Sequence, residues 1–145
     1  HAHRTVIMMR LEKRRFVEKL DYMTSPGYID GPGGREREGL LRGGPASVIT
    51  DKCIFRFNNT TKEMYLDGVY PNVTVEDVKS EVSWNLQIAP EVKVIEKPTV
   101  KEVELLRAMD PADIALRTKR TYEKVDFFTW AELVENGWKL MKRKG

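Results

Sequence analysis

Residues 21–57 read DYMTSPGYIDGPGGREREGLLRGGPASVITDKCIFRF. The stretch opens in a polar turn, Thr24-Ser25-Pro26-Gly27, and passes through Asp30-Gly31-Pro32-Gly33-Gly34 and Gly43-Gly44-Pro45, which hold half of the chain's glycines. It ends in a run where Val48, Ile49, Cys53, Phe55 and Phe57 alternate with Thr50, Lys52 and Arg56, which predicts one buried strand over 47–57. Pro26-Gly27 fits the central positions of a type II turn, where glycine supplies the positive φ. Glycine also lets a ligand approach the backbone closely. Loops of this kind between strands are where sites commonly lie. Composition alone leaves two readings open, an idle surface loop and a ligand-bordering one. The dinucleotide-binding glycine pattern fails because no buried strand leads directly into the glycines and no convincing helix follows. The phosphate-loop pattern fails because no Gly-Lys-Ser/Thr is present.

Upstream, Thr5–Met9 is rich in apolar and β-branched residues and predicts a buried strand of the parallel-sheet kind. The segment 11–20 fits neither the helix nor the strand period and reads as a short helix or an irregular crossing. Downstream, Asn58–Lys62 is a hairpin loop, and Met64–Leu66 with Val69-Tyr70 forms the returning strand. Thr74 caps a helix with Val75, Val78 and Val82 on one face, and Glu76 and Asp77 sit at its positive end. Asn85–Ala89 predicts a short closing strand and 90–98 an extended linker. Thr99 opens a second helix with a Glu102 capping box, and 110–116 adds another short helix. Thr129 starts a last helix with a Trp130, Leu133, Val134, Trp138, Met141 stripe that reads as packing. The expected fold is α/β, an open mixed or parallel sheet flanked by helices over 1–90, followed by a linker and helical extension over 91–145.

The 145 residues suffice for one domain with a core, and 41% apolar against 32% charged is a globular balance. No apolar run is long enough to span a bilayer, so no membrane role is expected. The net charge of +3 is uneven. Residues 1–20 hold six Lys/Arg and two Asp/Glu, and 139–145 hold four Lys/Arg and no acid, leaving −5 for the middle. Two basic ends on an acidic middle make no continuous nucleic-acid stripe. A single cysteine excludes an internal disulfide and a thiolate metal site. Cys53 sits among apolar neighbours and reads as a core thiol. That usage leads to the expectation of a cytoplasmic protein. His1 stands where an initiator Met would be and the first strand pattern begins almost at once, as if the chain started inside a domain.

Three segments carry a family likeness: 12–28, EKRRFVEKLDYMTSPGY; 48–55, VITDKCIF; and 69–78, VYPNVTVEDV. Together, in register from about residue 4 to residue 90, they resemble the B subunit of family I CoA-transferases of the glutaconate type. The later two are also similar to the matching region of succinyl-CoA:3-oxoacid transferases. The resemblance implies half of a two-part α/β subunit, with the active site between subunits. An acyl-CoA would give its CoA to a carboxylic acid through a glutamyl-CoA thioester on the enzyme. The family's catalytic glutamate lies in a Ser-Glu-Asn-Gly motif ahead of the strand matching Thr5–Met9, and no such motif precedes Thr5 here. The chain therefore resembles the C-terminal half of a B subunit, with no catalytic residue of its own. Its implied partners are the A subunit and the N-terminal half of the B subunit. Coenzyme A would be a substrate thioester, with no permanently bound cofactor and no metal.

Thr24, Ser25 and Gly27 would line the cleft with hydroxyls and backbone N–H groups, and Gly31 would lie on the same wall. Arg14 and Arg15 would pair with CoA phosphates, with structural ion pairs as the competing reading. Glu135-Asn136-Gly137 repeats three letters of the catalytic motif but falls inside the last helix, far from the motif's place. A ring-opening hydrolase of CoA thioesters in the same superfamily and a non-catalytic assembly lobe are the alternative readings.

Overall fold

The computed structural model describes residues 3–40, 43–110, 131, 132, 135, 136, 138 and 139. Two compact units divide between Lys97 and Pro98. The first unit is built on a five-stranded open sheet whose strands lie side by side in chain order: β1 (Thr5–Met8), β2 (Pro45–Ile49), β3 (Cys53–Phe57), β4 (Met64–Val69) and β5 (Gln87–Val94). β1 pairs parallel to β2 and β4 parallel to β5, while β2, β3 and β4 are mutually antiparallel. Each parallel pair needs a long crossover. Residues 9–44 make the first, including the one-turn helix α1 (Gly34–Arg37). Helix α2 (Val75–Ser80) makes the second.

The run 47–57 is not one strand. It folds back on itself as the β2–β3 hairpin, with Val48 opposite Phe55 and Ile49 opposite Ile54. The tight turn lacks the Asn-Gly or Asp-Gly signature that usually marks one. Thr50 supplies the closure instead. Its hydroxyl accepts from the Lys52 and Cys53 N–H groups at 3.1 and 2.8 Å, and it lies 2.8 Å from the Cys53 carbonyl, to which it donates. The backbone bond from Thr50 N–H to Cys53 carbonyl, 2.9 Å, completes it. Asp51, at the tip, accepts the Leu11 N–H at 2.8 Å and ties the first crossover to the hairpin.

Register assigns the faces, because residues directly opposite one another point the same way. Val48, Phe55, Leu66 and Ile88 share one face. That face carries the core: Val48, Cys53, Phe55, Leu66 and Val69 pack with Leu11 and Phe16 from the first crossover and Val78, Val82 and Leu86 from the second. The Phe16 ring lies 5.5 Å from Phe55 and 6.4 Å from Trp84, spacings at which aromatic pairs attract. Thr74 holds α2 in place through a full capping box, its hydroxyl accepting from Asp77 N–H while the Asp77 carboxylate accepts the Thr74 N–H.

The opposite face behaves differently. Val6 and Met8 project there beside Ser47 and Ile49, and are 54% and 72% exposed. The expectation that Thr5–Met9 is buried is therefore corrected. It does pair as a parallel strand, but at the sheet's edge, and all four of its residues are exposed. β5 also departs from expectation. It continues through Pro90 to Val94, where a linker was predicted, because β4 offers it backbone partners as far as Val69.

In the second unit, α3 (Val100–Met109) starts at the predicted Thr99–Glu102 capping box and buries none of its residues. The predicted short helix after Asp110-Pro111 lies outside the described residues. So do Thr129, Trp130, Leu133, Val134 and Met141 of the last helix; Ala131, Glu132, Glu135, Asn136, Trp138 and Lys139 are helical.

Candidate functional site

The glycine-rich crossover is a folded structure held from within. Tyr28 is its anchor. Its hydroxyl donates to the Pro45 carbonyl at 2.7 Å, its ring meets Phe57 edge-on at 5.4 Å, and the Lys62 ammonium lies 5.5 Å over the ring. Gly44 presses against the same ring. A Cβ there would stand 2.8 Å from it, and the residue's φ of +113° also favours glycine. Gly34 is equally enclosed, since a Cβ would meet Asp30 Oδ1 at 2.3 Å and the Tyr28 carbonyl at 2.8 Å. These glycines serve close approach of the chain to itself. Arg37 pairs with Asp30 and closes the far side of the loop.

The bend Thr24–Gly27 lies against the start of β2, where a Cβ on Gly27 would touch Pro45 at 3.8 Å. The predicted type II turn is not formed. Gly27 is not among the residues with positive φ, and the left-handed position falls instead on Ile29, at φ 61°. Among the described residues no backbone hydrogen bond closes the bend. Arg35 draws it in from α1. Its Nη1 donates to the Gly27 carbonyl at 2.8 Å and reaches the Pro26 carbonyl at 3.3 Å. Two adjacent carbonyls on one guanidinium nitrogen fix the bend in a way a type II turn would not. Ile29 in the left-handed region is costly for a β-branched residue and marks a backbone imposed by its surroundings.

Thr24 and Ser25 are exposed, and Gly27 is half-buried beside them. Leu20, Tyr22 and Met23, which lead into the bend, are 59%, 81% and 51% exposed, so apolar surface adjoins the two hydroxyls. Gly31 follows in the loop and is half-buried. It donates its N–H to the Tyr28 carbonyl at 3.0 Å and lines a cavity of about 120 Å³ with Tyr28, Arg35, Glu36, Leu40 and Lys62. That volume is too small for an acyl-CoA, whose pockets run to several hundred Å³. A wider groove of about 800 Å³ runs along the uncovered side of β4 and β5 past Tyr65, Asp67, Gln87 and Lys93, residues to which the motifs assign no role.

Arg14 and Arg15 both bind one carboxylate. Arg14 reaches Glu12 Oε2 at 2.8 Å and Arg15 at 3.0 Å. The Arg15 bond, with Arg14 second among the attractions, holds the Glu12 carboxyl below its ordinary range. Asp30 forms an ion pair with Arg37. Glu135, of the three-letter motif echo, pairs with Lys139 at 2.8 Å, which also depresses its carboxyl. Cys53 is fully buried, and burial pushes its thiol up to about 11, consistent with a core residue and opposed to a thiolate nucleophile. Among the described residues no three His, Cys, Asp or Glu side chains gather in a metal-binding cluster, and no helix is long and apolar enough to cross a membrane.

The motifs pointed to the bend and the loop but missed Arg35 and Tyr28, the residues that shape them. Their partners are main-chain carbonyls, which leave no trace in a sequence pattern. The adjacency of an arginine to Gly33-Gly34 is the only local sign.

A family profile described as coenzyme A transferase matches residues 1–81. The B subunit of glutaconate CoA-transferase from Acidaminococcus fermentans is 49% identical over 109 residues, 74% of this chain and 41% of that protein. The B subunit of 3-oxoadipate CoA-transferase from Pseudomonas knackmussii is 35% identical over 75% of this chain and 42% of its own length. The crystal structure of glutaconate coenzyme A-transferase from Acidaminococcus fermentans superposes with a TM-score of 0.68 at 45% identity, covering 77% of this chain and 43% of that one. The chain thus spans about two fifths of the length of the curated relatives it matches.

Proposed function

Since this chain belongs to the coenzyme A transferase family, we propose that it forms part of a B subunit that moves CoA from an acyl-CoA to a carboxylic acid. Coenzyme A enters as a substrate thioester and the reactive glutamate stands on a segment outside this chain. The observation that carries the reading is the match to two B subunits at 49% and 35% identity. Both relatives are named for dicarboxylic acids, glutaconate and 3-oxoadipate, so the acceptor proposed is a short dicarboxylate.

The chemistry divides between the parts. The glutamate carboxylate attacks the thioester carbonyl, forming a mixed anhydride and releasing CoA thiolate. The thiolate then attacks the glutamyl carbonyl of the anhydride, which frees the first acid and leaves a glutamyl-CoA thioester. A second carboxylate runs the sequence backwards. Such attack needs the reactants held close and the oxyanion stabilised. The role proposed for this chain is the wall. Thr24 and Ser25 offer hydroxyls, and Gly27 offers backbone, on a bend fixed against β2. The ion pairs of Glu12 and Asp30 with arginines make either carboxylate a poor candidate for the nucleophile.

The proposed partners are the remainder of the same subunit and an A subunit, in a cytoplasmic hetero-oligomer. Two features support a partner over the sheet. Val6 and Met8 expose apolar side chains, and among the described residues β1 pairs on one edge only, leaving an edge of the kind that soluble proteins normally cover.

The test is assembly of the chain with both partners, followed by transfer from acetyl-CoA to glutaconate. Formation of glutaconyl-CoA, with a hydroxylamine-sensitive thioester on the enzyme, is expected. Release of free CoA without a new acyl-CoA would overturn transfer in favour of thioester hydrolysis, and ring opening of a cyclic CoA thioester with no transfer would favour the ring-opening hydrolase.

A further inference from the structure

We propose that Arg35 is a positioning residue that sets the Thr24–Gly27 bend for acyl-CoA binding. The proposal rests on the reading of that bend as a wall of the substrate cleft. The bend carries the hydroxyls of Thr24 and Ser25 but has no backbone hydrogen bond of its own among the described residues. Its conformation is set from a distance of eight and nine residues, through the Arg35 Nη1 contacts to the Gly27 and Pro26 carbonyls.

Three features make Arg35 a clamp and not an incidental contact. The guanidinium Nε is shut away from solvent, so the side chain is seated in the loop. Its backbone is fixed in α1, where Arg37 N–H bonds to Gly33 and Glu38 N–H to Gly34. Gly34, next to it, cannot take a side chain without striking Asp30 and Tyr28, so α1 is close-packed against residues 28–30, which follow the bend. On the receiving side, Ile29 is held at φ 61° two residues after the bend, a conformation that persists only where neighbours enforce it. Charged hydrogen bonds to carbonyls are among the stronger ones in a protein. Thr24, Ser25 and Pro26 are all exposed, so without Arg35 water would satisfy the carbonyls and the bend would relax while the sheet stayed folded.

The test uses the assembled enzyme with acetyl-CoA and glutaconate. Arg35→Met should lower kcat/KM for acetyl-CoA by about ten- to a hundredfold, the loss expected of one charged hydrogen bond, with most of it in KM. Amide exchange of residues 22–30 should quicken, and the unfolding midpoint of the sheet should stay in place. Arg35→Lys should recover part of the loss, because an ammonium can donate to the carbonyls that Nη1 binds but sits on a shorter side chain. Arg37→Met, which removes the Asp30 pair from the same helix, should leave KM near that of the parent. Unchanged exchange in Arg35→Met overturns the clamp. Faster exchange with unchanged KM overturns the positioning role. Ser25→Ala separates the two levels: if it raises KM while Arg35→Met does not, the cleft reading stands and the proposal on Arg35 falls. If neither substitution alters KM or turnover, the cleft reading itself falls.

Discussion

Phe55 and Ile54 are neighbours on β3, yet they belong to different environments. Phe55 is fully buried, sealed by Phe16 and facing Leu66, and Ile54 is half-buried on the other side with Ile49 and Gly68, where the Ile95 side chain stands over Gly68. Identical backbone pairing supports both, so the difference comes from what lies above each face. Residues 11–16 and α2 form a lid over one. Over the other, among the described residues, stand a surface ion pair, Arg56 to Asp67 at 2.9 Å, the Ile95 side chain against Gly68, and the exposed side chains of β1. The stability of this unit should therefore reside in one face, and its capacity to associate in the other.

The largest effect that would test this division is Phe55→Ala. Deleting a fully buried phenylalanine costs about 3–5 kcal/mol through lost transfer energy and the cavity left behind. Ile54→Ala, one residue away, should cost well under half as much. Urea unfolding of the two variants measures the ratio, and equal losses would break the two-face description.

Cys53, on the covered face, gives a pH signature. Its thiol has a folded-state value of about 11 against an ordinary 9.0, because burial disfavours the thiolate. The folded state holds this proton more tightly than the unfolded chain. The thiol's contribution is therefore complete below pH 9 and is lost as pH rises from 9 through 11. Cys53→Ala should be moderately less stable at neutral pH and should show a shallower decline across that alkaline window. Parallel curves for the two proteins would mean the thiol is not buried as described.

The lid itself is tested next. Thr74→Ala removes the hydroxyl that caps α2 and should cost about 1 kcal/mol of the sheet's stability. The Thr74 N–H and hydroxyl hold the Asp77 carboxyl below its usual range. Its share of stability is thus present above the unfolded value near 3.8 and is lost as pH falls through the lower folded value. Thr99→Ala breaks the same box on α3, which buries none of its residues. It should fray that helix, read as a loss of helical circular dichroism. A cap fixes where a helix begins, and only burial links it to a core.

This contrast also explains what could be read in the chain beforehand. The starts of α2 and α3 were legible because Thr74 with Asp77 and Thr99 with Glu102 satisfy helix N–H groups within four residues. The Asn58–Lys62 hairpin was legible for a similar reason, since Asn58 accepts the N–H groups of Thr60 and Thr61. The β2–β3 turn was hidden because Thr50 performs with one hydroxyl what a glycine usually performs with its backbone, and alternation ran unbroken across it. The exposure of β1 was hidden because its sequence specifies an apolar strand and does not say what lies above it. At the candidate site the bend was located by its residues, but its conformation was not, since the force that shapes it comes from Arg35. The pull of a side chain on a distant carbonyl has no period and no motif.

The smallest effect belongs to the uncovered face. Val6→Thr with Met8→Gln replaces apolar groups that already meet water, so the stability of this chain should change by no more than about 0.5 kcal/mol. Adding polar atoms there strands no buried group and opens no cavity. The same pair of changes should matter once a partner covers the sheet, because each polar group would then be desolvated without a hydrogen-bond partner. Titration of the assembly by light scattering should show weaker association for the double variant, while its urea curve overlays that of the parent. A shift in the urea curve would mean that β1 is covered within the chain itself. Unchanged association would mean that the partner docks elsewhere.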